Sequence, residues 1–188
     1  MRKITLAELR RMAINSKVDI WEKAQSLGRD VKLYLHWTAG RYDQKFDDYH
    51  INIDGNGDIW CSTEDLSEVL AHTWKRNTGA IGIGLCACYN AQTTNLGDFA
   101  PTKKQIEVMS QVIAALCKAL DLSVDKYRVL THAEAADNAD ELNVHEDYGP
   151  ATTCERWDLA ILQNGDAWMS GGDTLRGKAI WYQNNGVA

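Results

Sequence analysis

The segment AIGIGLCACY, at residues 80–89, limits most strongly the folds available to this chain. Large apolar residues alternate in it with small ones, which is typical of a β-strand because successive side chains point to opposite faces. One face would carry Ile81, Ile83 and Leu85, and the other would carry only glycine and cysteine side chains. Such small side chains allow close approach, so we expect either a packed helix or a bound ligand against that face.

The rest of the chain alternates between helical and extended patterns. Capping-box sequences at Thr5 and Thr102 predict two helix starts, and a long apolar stripe follows the second. Strands are predicted over residues 31–37 and 127–131, and a β-hairpin around the Gly-Asn-Gly turn at residues 55–57. Strands interleaved with helices indicate an α/β or α+β domain with a mixed central β-sheet flanked by helices.

Weaker patterns predict further elements. We expect short helices over residues 20–27, 156–162 and 175–182, because each combines an apolar pattern with a helix stop signal or a turn nearby. Residues 135–149 are polar and acidic, which predicts a long loop. The length of 188 residues is that of one domain with at most a small appendage.

Charge and hydropathy exclude several classes of protein. Twenty lysines and arginines against 26 aspartates and glutamates give a net charge of −6, which argues against binding along nucleic-acid phosphates. Residues 1–25 lack the apolar stretch of a signal peptide, and no apolar run reaches the ~18 residues that span a bilayer. We therefore expect synthesis in the cytoplasm without a signal peptide, no nucleic-acid partner, no membrane insertion and a monomeric protein.

The five cysteines are an odd number and lack the spacing of a disulfide framework or a zinc ribbon. We expect most of them to be buried thiols that pack as small apolar groups. Cys117 in particular lies within the apolar pattern of a predicted helix.

Two histidines close predicted strands. His36 lies near the end of VKLYLHW, and His132 ends YRVLTH. Ligand-binding groups in open α/β sheets gather beyond the carboxyl ends of strands, and neighbouring strands lie ~4.8 Å apart. Two imidazoles at adjacent strand ends would be able to meet at one metal ion. Two unrelated histidines at separate strand ends also fit, because a spacing this long is not diagnostic of a metal site.

Five sequence blocks, in order along the chain, resemble one enzyme family. The first, LHWTAG at residues 35–40, resembles the H-x-T/S-A-G opening of the zinc-dependent N-acetylmuramoyl-L-alanine amidases. This family includes phage endolysins, bacterial amidases and animal peptidoglycan-recognition proteins. The other blocks resemble the family's Y-H hairpin, its A-H-A…N-x-x-S-I-G-I segment, its second histidine element and its C-P-x-F-D-L end; they lie at residues 48–59, 71–83, 131–134 and 154–159.

The resemblance implies a zinc site and its catalytic groups. By position, the ligands would be His36, His132 and Cys154, which leave a fourth position for water, as a catalytic zinc requires. Tyr49 would assist the metal water or the oxyanion, although it would also fit as a packing residue beside the hairpin. Thr152 lies two residues before the cysteine, where its hydroxyl would hydrogen-bond a developing oxyanion.

The same resemblance implies substrate-binding residues: His72, Trp37, Trp74 and Asn77. For the two tryptophans, core packing is an equal alternative, and His50 is interpreted as structural. Gly84 stands where recycling amidases carry a glutamate, so the usual carboxylate base is missing and its work would fall to Tyr49 and the zinc-bound water.

The segment between the second histidine and the cysteine is longer than is typical of the family. Its residues 145–148, His-Glu-Asp-Tyr, would shape substrate specificity or supply an alternative ligand. Asp158 is a further candidate for the third ligand, but in the helix predicted over residues 156–162 it is expected instead to cap that helix or to form an ion pair.

The function implied is zinc-dependent hydrolysis of the amide between N-acetylmuramic acid and L-alanine in peptidoglycan or in muropeptides. Residues 1–165 would form the catalytic domain, and residues 166–188 a short extension packing on it. Two alternatives stay open: a non-catalytic peptidoglycan-binding module, against which the presence of Cys154 argues, and a zinc hydrolase of another amide bond. The setting would be cell-wall degradation by a phage or prophage endolysin, muropeptide recycling in the cytoplasm, or secretion as an effector.

Overall fold

The computed structural model describes residues 1–144 and 157–186. The strands it contains are β1 (Arg2–Ile4), β2 (Lys32–Trp37), β3 (Ile51–Ile53), β4 (Ile59–Cys61), β5 (Ala80–Leu85) and β6 (Val129–Thr131). The α-helices are α1 (Leu6–Ser26), α2 (Lys103–Leu120), α3 (His132–Ala136) and α4 (Gly171–Asn184). A single 3-10 turn covers Gly97–Phe99 in the described part of the chain.

The six strands form one mixed sheet in the order β1-β4-β3-β5-β2-β6. Strand β2 runs parallel to β5 and β6, and β3 runs parallel to β5. The hairpin strand β4 is antiparallel to β3 and to β1. This arrangement confirms the predicted α+β class with a mixed central sheet, and it brings the carboxyl ends of β2, β5 and β6 to one edge.

The two faces of the sheet have different coverings. Side chains on one face of β2, β3, β5 and β6, such as Leu33, Ile51 and Ile83, pack with the apolar residues of α1, α2 and α4 into the main core. A second, smaller cluster forms on the other face, where Tyr34 and Leu130 pack against Ala135 of α3. This small cluster leaves the part of the second face near the carboxyl ends of β2 and β6 to polar side chains.

Both predicted capping boxes are present, at Thr5 and at Thr102. The separate helix predicted over residues 20–27 is wrong, because α1 is continuous for 21 residues. Ser16, Ile20 and Ala24 are all buried and extend the apolar stripe of the first helix at four-residue intervals. The chain leaves the helix only after Ser26, and Gly28 then adopts a positive φ of 67°.

The remaining predictions are confirmed in part. The final helix exists but is longer than predicted, at Gly171–Asn184, and it packs against α2 and β6. Residues 157–162 form turns and not a helix. The short edge strand β1 was not predicted, since three residues are too few for a periodic pattern.

The cysteines that the structure describes are free and buried thiols: Cys61, Cys86, Cys88 and Cys117. Burial raises the pKa of Cys86 and of Cys117 to about 12, so these two thiols stay protonated and unreactive at neutral pH. Within residues 1–144 and 157–186, none of the helices has the length and apolar character that crossing a bilayer requires.

Candidate active site

Three ligand atoms from distant parts of the chain converge at the carboxyl edge of the sheet. Nδ1 of His36 lies 3.1 Å from Nδ1 of His132 and 3.2 Å from Oδ2 of Asp158. The same carboxylate oxygen lies 3.5 Å from Nδ1 of His132. All three residues are buried. Their polar atoms therefore meet in a place that largely excludes bulk water.

Local structure explains why these atoms meet. His36 is the fifth residue of β2, and β6, its parallel neighbour, ends at Thr131 directly before His132. Thr131 accepts a hydrogen bond from the Glu134 backbone and begins α3, which makes His132 the first helical residue. The carbonyl of Asp158 accepts a bond of 3.4 Å from the backbone N–H of Ala133, which ties its turn to α3.

The donor set fits a divalent metal ion. A tetrahedral ion with bonds of 2.0–2.2 Å would separate its donor atoms by roughly 3.3–3.6 Å, close to the three distances observed. Burial by itself would raise the pKa of Asp158, but the charges of His132 and His36 and their hydrogen bonds outweigh it and hold that pKa below its ordinary value. Two imidazole nitrogens and an ionised carboxylate are therefore directed at one point, an arrangement that a cation stabilises.

Tyr49 lies against this group. Its ring centroid is 5.0 Å from that of His36, and its hydroxyl donates a 3.2 Å hydrogen bond to the carbonyl of Trp37. The ring occupies the space above Gly84, where an added Cβ would come within 2.9 Å of Tyr49 Cδ2. A side chain at position 84 would therefore require the Tyr49 ring to move.

His72 packs in the same way above Gly82, whose added Cβ would lie 2.6 Å from the imidazole. The expectation of a helix or a ligand against the small face of β5 is therefore wrong, because the two groups lying there are the rings of His72 and Tyr49. The His72 ring is buried, and burial lowers its pKa well below the ordinary value, assisted by the neighbouring histidines. His72 is thus neutral and lies behind the ligand atoms.

The residues around His72 hold its loop in place. Oδ1 of Asn77 accepts hydrogen bonds from the backbone N–H groups of His72 and Thr73, at 3.0 and 2.8 Å. His50 accepts a bond from the Gly82 backbone at Nδ1 and lies 2.7 Å from the carbonyl of Glu68 at Nε2. The two contacts of His50 support its interpretation as a structural residue. The two hydrogen bonds of Asn77 direct its side chain toward its own loop.

A family model described as N-acetylmuramoyl-L-alanine amidase matches residues 28–154, about two thirds of the chain. The chain belongs to this amidase family. Searches among curated proteins and solved structures found no match. The matched segment includes both histidines of the donor set and ends at Cys154, whereas Asp158 lies beyond it.

The two tryptophans predicted to bind substrate occupy different places in the amidase. Trp37 is buried, and its ring packs edge-on against Trp157 with centroids 4.4 Å apart. Trp74 is 56% exposed, and the ammonium of Lys75 lies 5.6 Å from its ring centroid. Of the two, Trp74 presents the surface that a glycan or peptide can reach.

Several predicted residues lie outside the part of the amidase that the structure describes. These are Thr152, Cys154 and the insertion residues His145, Glu146, Asp147 and Tyr148. The sequence favours Cys154 over Asp158 as the third ligand, because Asp158 falls in the helix predicted over residues 156–162. Residues 157–162 form turns instead, and Asp158 lies beside both histidines. Its position within the C-P-x-F-D-L-like block is the sequence signal that points to the site.

Proposed function

We propose that this amidase uses a zinc ion to hydrolyse the amide between N-acetylmuramic acid and L-alanine of peptidoglycan. The observation that supports the proposal best is the convergence of Nδ1 of His36, Nδ1 of His132 and Oδ2 of Asp158 within 4.8 Å of one another, in a chain of the amidase family. Zinc bound to such a set supplies Lewis acidity, which polarises a carbonyl and makes a water molecule more acidic.

Two residues have specific support as the third ligand. Asp158 is supported by its distances to both histidines and by its ionised state in the site. Cys154 is supported by the resemblance to the family and by the preference of zinc for a thiolate when the other ligands are imidazoles. We propose Asp158 on the basis of its distances to both imidazoles, with Cys154 as the alternative.

The chain's own groups then have separate tasks. The Tyr49 hydroxyl, held beside His36 by its bond to the Trp37 carbonyl, would turn from that carbonyl toward substrate and move a proton during hydrolysis. The Thr152 hydroxyl would donate a hydrogen bond to the oxyanion. The exposed Trp74 ring would pack against the sugar or the stem peptide. All of these groups come from one chain, so a monomer suffices.

Digestion of purified peptidoglycan tests the proposal. The amidase should release alanine amino termini without creating new reducing sugar ends, and exhaustive chelation should abolish the release until zinc is restored. New reducing ends would indicate a glycosidase, and binding of the wall without any product would indicate a non-catalytic module. Release of other amino termini would indicate a hydrolase of a different amide bond.

A second experiment, on substrate preference, addresses the biological setting. We propose that the protein degrades the cell wall as a phage or prophage endolysin, or that it recycles muropeptides in the cytoplasm. Intact sacculi and soluble muropeptides, offered at equal concentrations of the scissile amide, distinguish these roles. Faster cleavage of sacculi supports the endolysin, and faster cleavage of muropeptides supports the recycling enzyme.

A further inference from the structure

Thr73 connects two imidazoles behind the proposed metal site. Its Oγ1 lies 3.2 Å from Nε2 of His36 and 2.8 Å from Nδ1 of His72. Thr73 is 2% exposed, so its hydroxyl cannot exchange these partners for bulk water. One buried hydroxyl therefore contacts the ring nitrogen of His36 that is directed away from the ligand atoms.

With zinc bound at Nδ1 of His36, the protons of this hydrogen-bonded chain follow from the geometry. His36 directs Nδ1 at His132 and Asp158, and a histidine nitrogen must be unprotonated to bind a metal. The single ring proton of neutral His36 then lies on Nε2 and is donated to Thr73 Oγ1. A hydroxyl that accepts there is free to donate its own proton to Nδ1 of His72.

The backbone holds Thr73 in the required place. Asn77 binds the amide groups of His72 and Thr73 through a single side-chain oxygen, and the His72 ring is packed against the sheet at Gly82. Rotation of the threonine away from His36 would leave a buried N–H without this acceptor, which costs free energy. The loop thus presents a fixed acceptor to His36.

We propose that Thr73 is a positioning residue that fixes the Nε2–H tautomer and the ring plane of His36, so that Nδ1 is available to the metal. The inference rests on the proposed zinc site and adds a residue outside the ligand set. Partners that accept a proton from a ligand histidine fix its tautomer and orientation, and their removal typically weakens metal binding by roughly 10- to 100-fold.

The test measures zinc affinity and tautomer in the full chain. Thr73→Val keeps the shape of the side chain and removes the hydroxyl, whereas Thr73→Ser keeps the hydroxyl. Competition with a chromophoric chelator should show zinc binding about 10- to 100-fold weaker in Thr73→Val and close to the parent in Thr73→Ser. Imidazole ¹⁵N spectra of the metal-free proteins should show a larger fraction of the Nε2–H form of His36 in the parent and in Thr73→Ser than in Thr73→Val, where Asp158 is the remaining acceptor for the ring proton.

The outcomes are separable. A parent that binds zinc together with a Thr73→Val variant of equal affinity and unchanged tautomer would overturn the role of Thr73 alone. A parent that binds no zinc would overturn both this role and the proposed zinc site. Equal weakening in Thr73→Val and Thr73→Ser, with the tautomer unchanged in both, would assign Thr73 to packing and also overturn the inference.

Discussion

At the scale of single residues, two glycines of β5 determine which rings reach the proposed site. Gly82 and Gly84 point to the same face as Tyr34 and His36 on the neighbouring strand, and the rings of His72 and Tyr49 lie directly above them. The alternation of glycine in the sequence predicts a close approach to this face. It cannot identify the approaching group, because His72 and Tyr49 come from loops that precede the strand.

Gly84→Ala tests the position of Tyr49. The added methyl would lie 2.9 Å from Tyr49 Cδ2 and 3.1 Å from Cγ, so the ring must move away from its place beside His36. We expect zinc content to be retained and the amidase rate to fall by up to ~10²-fold, the usual range for a displaced proton-transfer group. Gly177→Ala is the matched control, because nothing lies within 4 Å of its added methyl. Parent-like rates in Gly84→Ala would show that the ring position is unimportant.

Tyr49→Phe removes the hydroxyl and leaves the ring in place. Zinc content and folding should be unchanged, because the ring contacts with His36 and Gly84 remain. The rate of amide hydrolysis should fall on the order of 10²-fold, which is the contribution of general acid–base assistance. Steady-state kinetics with a soluble muropeptide measure it, and an unchanged rate would identify Tyr49 as a packing residue.

Paired substitutions determine the third ligand. Asp158→Ala removes a carboxylate in contact with both histidines, and we expect that variant to lose zinc and activity together. Cys154→Ala should keep zinc if Asp158 is the ligand. Zinc content by elemental analysis after gel filtration, measured beside the parent, decides between them. Loss of zinc in Cys154→Ala with retention in Asp158→Ala would establish the thiolate instead.

At the scale of elements, α4 supports two of the three ligand-bearing segments. The backbone N–H of Gly171 donates to the carbonyl of Ala160 at 3.1 Å, and an added Cβ on Gly171 would lie 1.9 Å from the carbonyl oxygen of Leu159. The helix begins, therefore, in direct contact with the turn that carries Asp158. An added Cβ on Gly172 would lie 2.0 Å from a carboxylate oxygen of Glu134 in α3.

A buried ion pair continues this support further along α4. Arg176 donates to both carboxylate oxygens of Glu134, each at 2.8 Å, and to the carbonyl of Val129 at 2.9 Å. Glu134 in turn accepts from the Thr131 backbone directly before His132. The guanidinium thus stabilises the junction of β6 and α3 from which His132 projects.

Arg176→Met measures that support. Removing the guanidinium leaves the carboxylate of Glu134 buried and without its partner, which should lower the free energy of unfolding by about 3–5 kcal/mol. Lys3→Met is the matched control, because the Lys3–Asp58 pair is exposed and its loss should cost at most ~1 kcal/mol. Urea unfolding of both variants supplies the comparison. Equal small losses would show that the Arg176 pair adds nothing beyond a surface contact.

Elements with a clear sequence periodicity are predicted more accurately than elements without one. The apolar stripe of α2 and its capping box at Thr102 predict that helix correctly. The alternating pattern of residues 31–37 predicts β2 correctly, although all six residues of the strand are buried. The apolar residues at 159–162 favour a helix in the sequence, but they lie in turns. They are buried by contacts with distant elements, which a local sequence pattern does not show. The histidine pair was predictable from strand ends, whereas Asp158 and Thr73 depend on such turns and loops.

At the scale of the whole molecule, one sheet separates a structural side from a functional side. The face packed by α1, α2 and α4 contains the main apolar core, and the opposite face contains the imidazoles of His36, His50 and His72. A second buried ion pair lies on the functional side, where Arg76 contacts Asp140 at 2.7 Å and Tyr34 donates to the same carboxylate at 2.9 Å. Helix α4 belongs to both sides, since its apolar residues join the core while Arg176 reaches α3.

Truncation tests whether residues 166–188 are part of the same folding unit as residues 1–165. A chain ending at residue 165 loses Leu175 and Ala179, both fully buried in the main core, together with the partner of Glu134. Loss of one buried leucine side chain alone costs about 2–5 kcal/mol, and an unpaired buried carboxylate adds about 3–5 kcal/mol. Their sum reaches the ~5–15 kcal/mol that stabilises a typical domain. We therefore expect the shortened chain to lose cooperative thermal unfolding and zinc binding together, whereas a chain ending at residue 186 should keep both. A chain ending at residue 165 that melts at the parent temperature and retains zinc would show that α4 is an independent appendage.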